Sequence, residues 1–137
     1  MWPFITTAPE AVEFIMMVSG FLMGLSHIVR PRMWTEFFGW MHAEGYRGVV
    51  LKTFALELWP ALLIVTLHQV WSGPGIVITI YGWAQMLKIA IAMLVPELTL
   101  RGLKMAEGGA RSFVPAGVML MALGVVAGVA LFWPDAA

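Results

Sequence analysis

Four runs of about twenty apolar residues dominate the chain, at about 11–29, 49–70, 76–95 and 113–133. Each is near the ~20 residues an α-helix needs to cross ~30 Å of hydrocarbon. The runs predict an all-α fold, an integral membrane four-helix bundle forming a single transmembrane domain over 1–137. Composition points the same way: 61% of residues are apolar and only 12% charged. A soluble domain would carry roughly a quarter charged residues. This disfavours a nucleic-acid binder, a secreted disulfide scaffold and a hydrolase with a soluble cleft. The chain has 8 basic and 8 acidic residues, so no basic tail marks nucleic acid or anionic lipid as the main partner. Cysteine is absent, which removes disulfides, thiolate metal sites and palmitoylation together.

The first run has a helix start in front of it. Thr7 can cap it, Pro9 suits the first turn, and Glu10 and Glu13 favour the positive end of the helix dipole. A signal peptide would carry basic residues before its apolar stretch; here Arg30 and Arg32 follow it, so it reads as a retained span. Between the first two spans, Trp34, Phe37, Phe38 and Met41 recur at helical spacing, as in a short helix lying in the membrane interface. Spans two and three are joined by a tight turn, Trp71-Ser72-Gly73-Pro74-Gly75.

Charge sets the orientation. Arg30, Arg32 and Arg47 follow span one, while Arg101, Lys104 and Arg111 follow span three. The positive-inside rule puts connectors 30–47 and 97–111 in the cytoplasm and both termini outside. A bias this one-sided argues against a dual-topology multidrug or fluoride-channel protein. Trp2, Trp71 and Trp133 would form an outer aromatic belt, and Trp34 and Trp40 an inner one.

Two ionisable residues fall well inside the apolar runs, Glu57 and Lys88. An isolated charge there costs at least ~3 kcal/mol, so each needs a partner. Counted outward from Ser72-Gly73, the two lie at equal offsets, which predicts an ion pair across the hairpin. Thr53, Glu57, Ala61 and His68 share one face of span two by helical spacing, and Tyr81, Gln85 and Lys88 share one face of span three. Pro60 frees the Leu56 carbonyl, which could accept from Lys88 or Gln85, while Lys52 falls off this face and can snorkel. The pair reads either as a proton or ion site, or as a polar niche for a ligand head, or as a lock on the hairpin. The lock is the simpler reading, because a paired, packed charge is a poor transport site unless water reaches it.

His27, His42 and His68 have no ligand-motif spacing and read as interfacial hydrogen-bonding groups, so no metal site is expected. Gly20 and Gly24 form one small-residue ridge, and Gly117, Gly124 and Gly128 another. Such ridges let helix backbones approach, within one monomer or across a subunit interface. The eleven methionines read as adaptable packing.

The hairpin series His68, Trp71, Gly73-Pro74, Thr79, Gly82-Trp83, Lys88 and Pro96 resembles a motif set in small bacterial four-helix membrane proteins of uncharacterised function. The resemblance covers about a quarter of the chain. It implies a bacterial inner membrane, hence periplasmic termini, and marks His68, Trp71, Pro74, Trp83 and Lys88, but it brings no activity.

Three functions remain open. The preferred one is an accessory or assembly subunit packing through helix faces against a larger membrane complex. The second is a homo-oligomeric proton or small-solute transporter or channel using Glu57 and Lys88. The third is a binder or enzyme for a lipid, quinone or pigment, with Trp59, Trp83 and Tyr81 lining the site and Lys88 and His68 as polar handles. No residue set shows nucleophile–base spacing, so catalysis is the less favoured expectation. No cofactor is predicted beyond such a bound amphiphile.

Overall fold

The computed structural model describes residues 2–133, without the side chains of Met105 and Ala106; residue 1 and residues 134–137 of the expected domain lie outside the described residues. Among the described residues the fold is all-α, with no strand. Helix α1 (Ala8–Val29) starts earlier than its apolar run because it is capped: Glu10 N–H donates to Thr7 Oγ1, and the Glu10 carboxylate accepts from Thr7 N–H at 2.8 Å. Helix α2 (Pro31–Ala43) is the expected short connector helix, its Phe37, Phe38 and Met41 packed on Val49 and Leu103. Trp34 does not face outward as a belt residue. It stacks on His27 with ring centroids 3.9 Å apart and donates to Ser26 Oγ at 3.0 Å.

The second long helix, Tyr46–Leu67, has three parts: α3 (Tyr46–Leu51), a π-helical stretch (Lys52–Leu58) and α4 (Trp59–Leu67). Pro60 accounts for the widening. It has no N–H to donate, and its ring crowds the carbonyl four residues back, so the preceding turns open. The helix ends at Leu67, short of the expected Val70, because His68 leaves it at φ −122° and ψ 83°. The connection over residues 68–74 is therefore longer than a tight turn. Helix α5 (Gly75–Leu94) follows, then α6 (Pro96–Leu103), 3-10 turns at Lys104–Gly108 and Ala110–Phe113, and α7 (Val114–Leu131). Four stretches, Ala8–Val29, Tyr46–Leu67, Gly75–Leu94 and Ala110–Leu131, are long and apolar enough to cross a membrane.

The four long helices pack as two pairs. The most extensive contact joins α1 to α7; the next joins α4 to α5. Both glycine ridges are used inside the α1–α7 contact. A Cβ at Gly20 would lie 2.8 Å from Leu120 O, and one at Gly24 would lie 2.6 Å from Gly117 O. Gly117 and Gly124 sit against the α1 backbone in return, and Gly128 against Met17. At α4–α5, Gly82 admits the Ile64 side chain, which a Cβ would strike.

The surface helices and 3-10 turns gather at one end of the bundle, here termed the connector end. Arg30, Arg32, Arg47, Arg101, Lys104 and Arg111 are all exposed there. The opposite, terminal end holds residues 2–7, 68–74 and 132–133, where the rings of Trp2, Phe4, Phe14 and Phe132 cluster with centroids 5.8–6.3 Å apart.

Candidate functional site: a charged cluster between two clefts

Glu57 lies in the π-helical stretch and Lys88 in α5, and Lys88 Nζ donates to Glu57 Oε1 at 2.5 Å. A third residue joins them: Lys52 Nζ donates to the same oxygen at 2.6 Å. Lys52 is therefore not a snorkelling residue off this face. In a regular α-helix, residues five apart diverge by about 140°. A π-turn bonds residue i to i+5 and brings them near one another, so the widening delivers Lys52 to Glu57. Lys88 also makes a long contact with Gln85 Oε1 at 3.5 Å. Lys88 thus meets its expected partner Glu57, and its second contact is the Gln85 side chain and not the Leu56 carbonyl.

The cluster is unevenly covered. The side chains of Lys52 and Glu57 are only 12% and 14% exposed, whereas Lys88 is 51% exposed. Glu57 Oε2 and Thr53 Oγ1 are buried and accept no hydrogen bond from the described residues. Two clefts meet here. A central one of about 360 Å³ lies between the helix pairs and is lined from all four long helices. Its walls include Met16, Met23, Met119 and Leu120, and its polar groups include Glu57, Tyr81, Gln85 and Lys88. A flank groove of about 530 Å³ runs from Lys52, Glu57 and Lys88 to Leu98, Thr99 and Leu103 of α6 at the connector end.

Two expected lining residues are elsewhere. Trp59 and Trp83 are exposed and point away from both clefts, Trp59 standing edge-on to Phe54. Their positions on α4 and α5 fall on the outer face of the hairpin.

His68 also leaves the expected face. It is fully buried near the terminal end, with Nε2 3.0 Å from Glu13 Oε1 and Nδ1 3.0 Å from Thr79 Oγ1. The Thr79 hydroxyl has one proton to give and lies 2.7 Å from Val70 O. Spending it there leaves Nδ1 as the donor to Thr79. One further proton then lies between Nε2 and Glu13, so the pair is internally neutral whichever atom holds it. Local sequence does not single out Glu13, which, like Glu10, sits in the first turns of α1. Glu10 is spent on the cap, while Glu13 faces inward one helical turn later. No substrate reaches His68 directly, since the residue is enclosed.

His27 hydrogen-bonds Met23 O through Nδ1 at 2.7 Å, and His42 lies 3.8 Å from Glu107. Among the described residues no three of His, Asp or Glu group as a metal site. No family model, curated protein or solved structure matches the chain.

Proposed function

We propose that this chain is a multi-pass protein of a bacterial inner membrane that holds a membrane-soluble amphiphile, a lipid, quinone or pigment, by its polar end. The observation that carries the reading is the central cleft, apolar-walled and lined from all four long helices, with Glu57, Lys88, Gln85 and Tyr81 converging at its edge. Apolar enclosure with a few placed polar groups is the usual form of a small-ligand site. The six exposed cations at the connector end support a topology with connectors 30–47 and 97–111 in the cytoplasm and termini in the periplasm.

The accessory-subunit reading has less to draw on, because both glycine ridges are consumed between α1 and α7 and offer no free close-packing face. The transport reading is weakened by two ammonium groups held on one carboxylate oxygen, an arrangement that retains an ion more readily than it passes one.

Purification of the full chain in mild detergent, followed by organic extraction and mass spectrometry, tests the proposal. A near-stoichiometric amphiphile is expected, and it should be lost when Leu120→Trp fills the central cleft. Wild-type protein that carries no amphiphile and takes none up, or folded Leu120→Trp protein that keeps the full wild-type complement, would overturn the reading.

A further inference from the structure

The cluster has more cation than anion. Lys52 and Lys88 both donate to Glu57 Oε1, so two ammonium groups share one carboxylate and the set is formally +1. Among the described residues, neither cleft that meets there is lined by another charged residue. Glu97, the acid near the groove's outer end on α6, accepts from the Tyr46 hydroxyl at 3.2 Å and lines neither cleft. A surplus cation among apolar walls is unfavourable until an anion joins it.

The two lysines differ in what they can reach. Lys52 is almost covered and fixes Glu57, whereas Lys88 is half-exposed and lines the flank groove. That groove has apolar walls in Phe38, Leu87, Ile91, Leu98 and Leu103, with the Thr99 hydroxyl among its lining groups. It runs from the cluster to the surface helices at the connector end. The trough opens at the connector end, where lipid heads lie, so an oxyanion head can reach Lys88 through it while the acyl chain continues past Ala84 and Leu87 toward the hydrocarbon.

We infer that Lys88 binds the phosphate or carboxylate of an anionic lipid, seated in the flank groove with its head on the Lys52–Glu57–Lys88 cluster. Lys52 is the positioning residue that keeps Glu57 from neutralising Lys88 completely. This rests on the amphiphile-binding reading and adds a second seat, across the same charged cluster from the central cleft, with the sign of the head it takes; Leu120→Trp should leave this lipid bound.

The test uses the full chain in uncharged detergent, titrated separately with phosphatidylglycerol, phosphatidylcholine and decylubiquinone and read by native mass spectrometry. Phosphatidylglycerol should bind more tightly than phosphatidylcholine by about fivefold or more, the worth of one lysine–anion contact near a membrane surface. Lys88→Gln should erase the preference and Lys88→Arg should keep it. Lys52 still pairs Glu57 in Lys88→Gln, so the fold has no reason to fail. Ile91→Trp, which obstructs the groove without touching the charges, should also abolish the bound lipid. An unchanged preference in Lys88→Gln would overturn the inference. So would inorganic phosphate displacing phosphatidylglycerol at equal concentration, since the site would then serve a soluble oxyanion. Tight binding of decylubiquinone with no preference for the anionic lipid would overturn the inference while leaving amphiphile binding intact. Binding of none of the three would overturn both.

Discussion

Glu13 Oε1 and His68 Nε2 meet at 3.0 Å across 55 residues of sequence, and the contact ties α1 to the point where α4 ends. His68 lies outside helical geometry, so its ring can reach sideways to α1 and α5 together. The proton shared by the pair makes a conservative substitution informative. Glu13→Gln keeps a donor for Nε2 and should remain close to wild-type stability. Glu13→Leu and His68→Leu each strand a buried partner and should each cost about 3–5 kcal/mol. The double replacement should cost less than the two single effects added together. Thermal unfolding in micelles, followed by tryptophan fluorescence, checks all four; additive losses would show the contact to be energetically idle.

The Lys52–Glu57–Lys88 cluster is asymmetric in its dependence on each member. Removing either lysine leaves Glu57 with one ammonium partner, whereas Glu57→Leu leaves two cations facing each other. Glu57→Leu should therefore be the most damaging of the three, by about 3–5 kcal/mol. Lys52→Met and Lys88→Met should each lose less. The order is read from unfolding midpoints in one detergent, and a Lys88→Met more damaging than Glu57→Leu would contradict it.

Glycine substitutions should separate by location. Gly24→Ala sets a methyl 2.5 Å from Met121 Cγ and 2.6 Å from Gly117 O, so α1 and α7 must separate. A loss of about 1–3 kcal/mol is expected for such overpacking. Gly39→Ala meets nothing within 4 Å on α2 and should gain up to about 1 kcal/mol from helix propensity. The two variants, measured side by side, test whether the ridge is tight because the helices touch there.

Topology can be tested without removing any native thiol, because the chain has no cysteine. Ser72→Cys, in the connection between α4 and α5, should react with a membrane-impermeant maleimide added to spheroplasts. Glu107→Cys, on the exposed 3-10 turn at the connector end, should react only after permeabilisation. The reverse pattern would invert the proposed orientation.

Much of the architecture is legible from apolar runs, because a helix of fixed rise needs a fixed number of residues to span hydrocarbon. The expected placement of Glu57 beside Lys88 follows from counting about Ser72-Gly73, and the two side chains are in contact. Counting fails where the helix is irregular. Lys52 reaches Glu57 only through the π-stretch, for which Pro60 is the single sequence signal. His68 shares the Glu57 face only if the helix continues past Leu67, and it stops there. Glu13 carries no signal in its own neighbourhood, since its partner lies in a different helix pair and local periodicity is blind to such contacts. Trp59 and Trp83 are misread for the opposite reason: a large aromatic ring suggests a ligand wall, yet nothing in spacing alone tells an inward face of a hairpin from an outward one.

The glycine seam between α1 and α7 also sets an order of assembly. Its two sides come from opposite ends of the described chain, so the ribosome delivers Gly20 and Gly24 well before Gly117 and Gly124 exist. The α4–α5 hairpin joins near neighbours in sequence and can form while synthesis continues, since short loop closures carry the smaller entropic cost. The bundle therefore closes late, around a hairpin already in place, and the cleft between the pairs is completed only when α7 docks. Any amphiphile it holds has its opportunity to enter before that final closure.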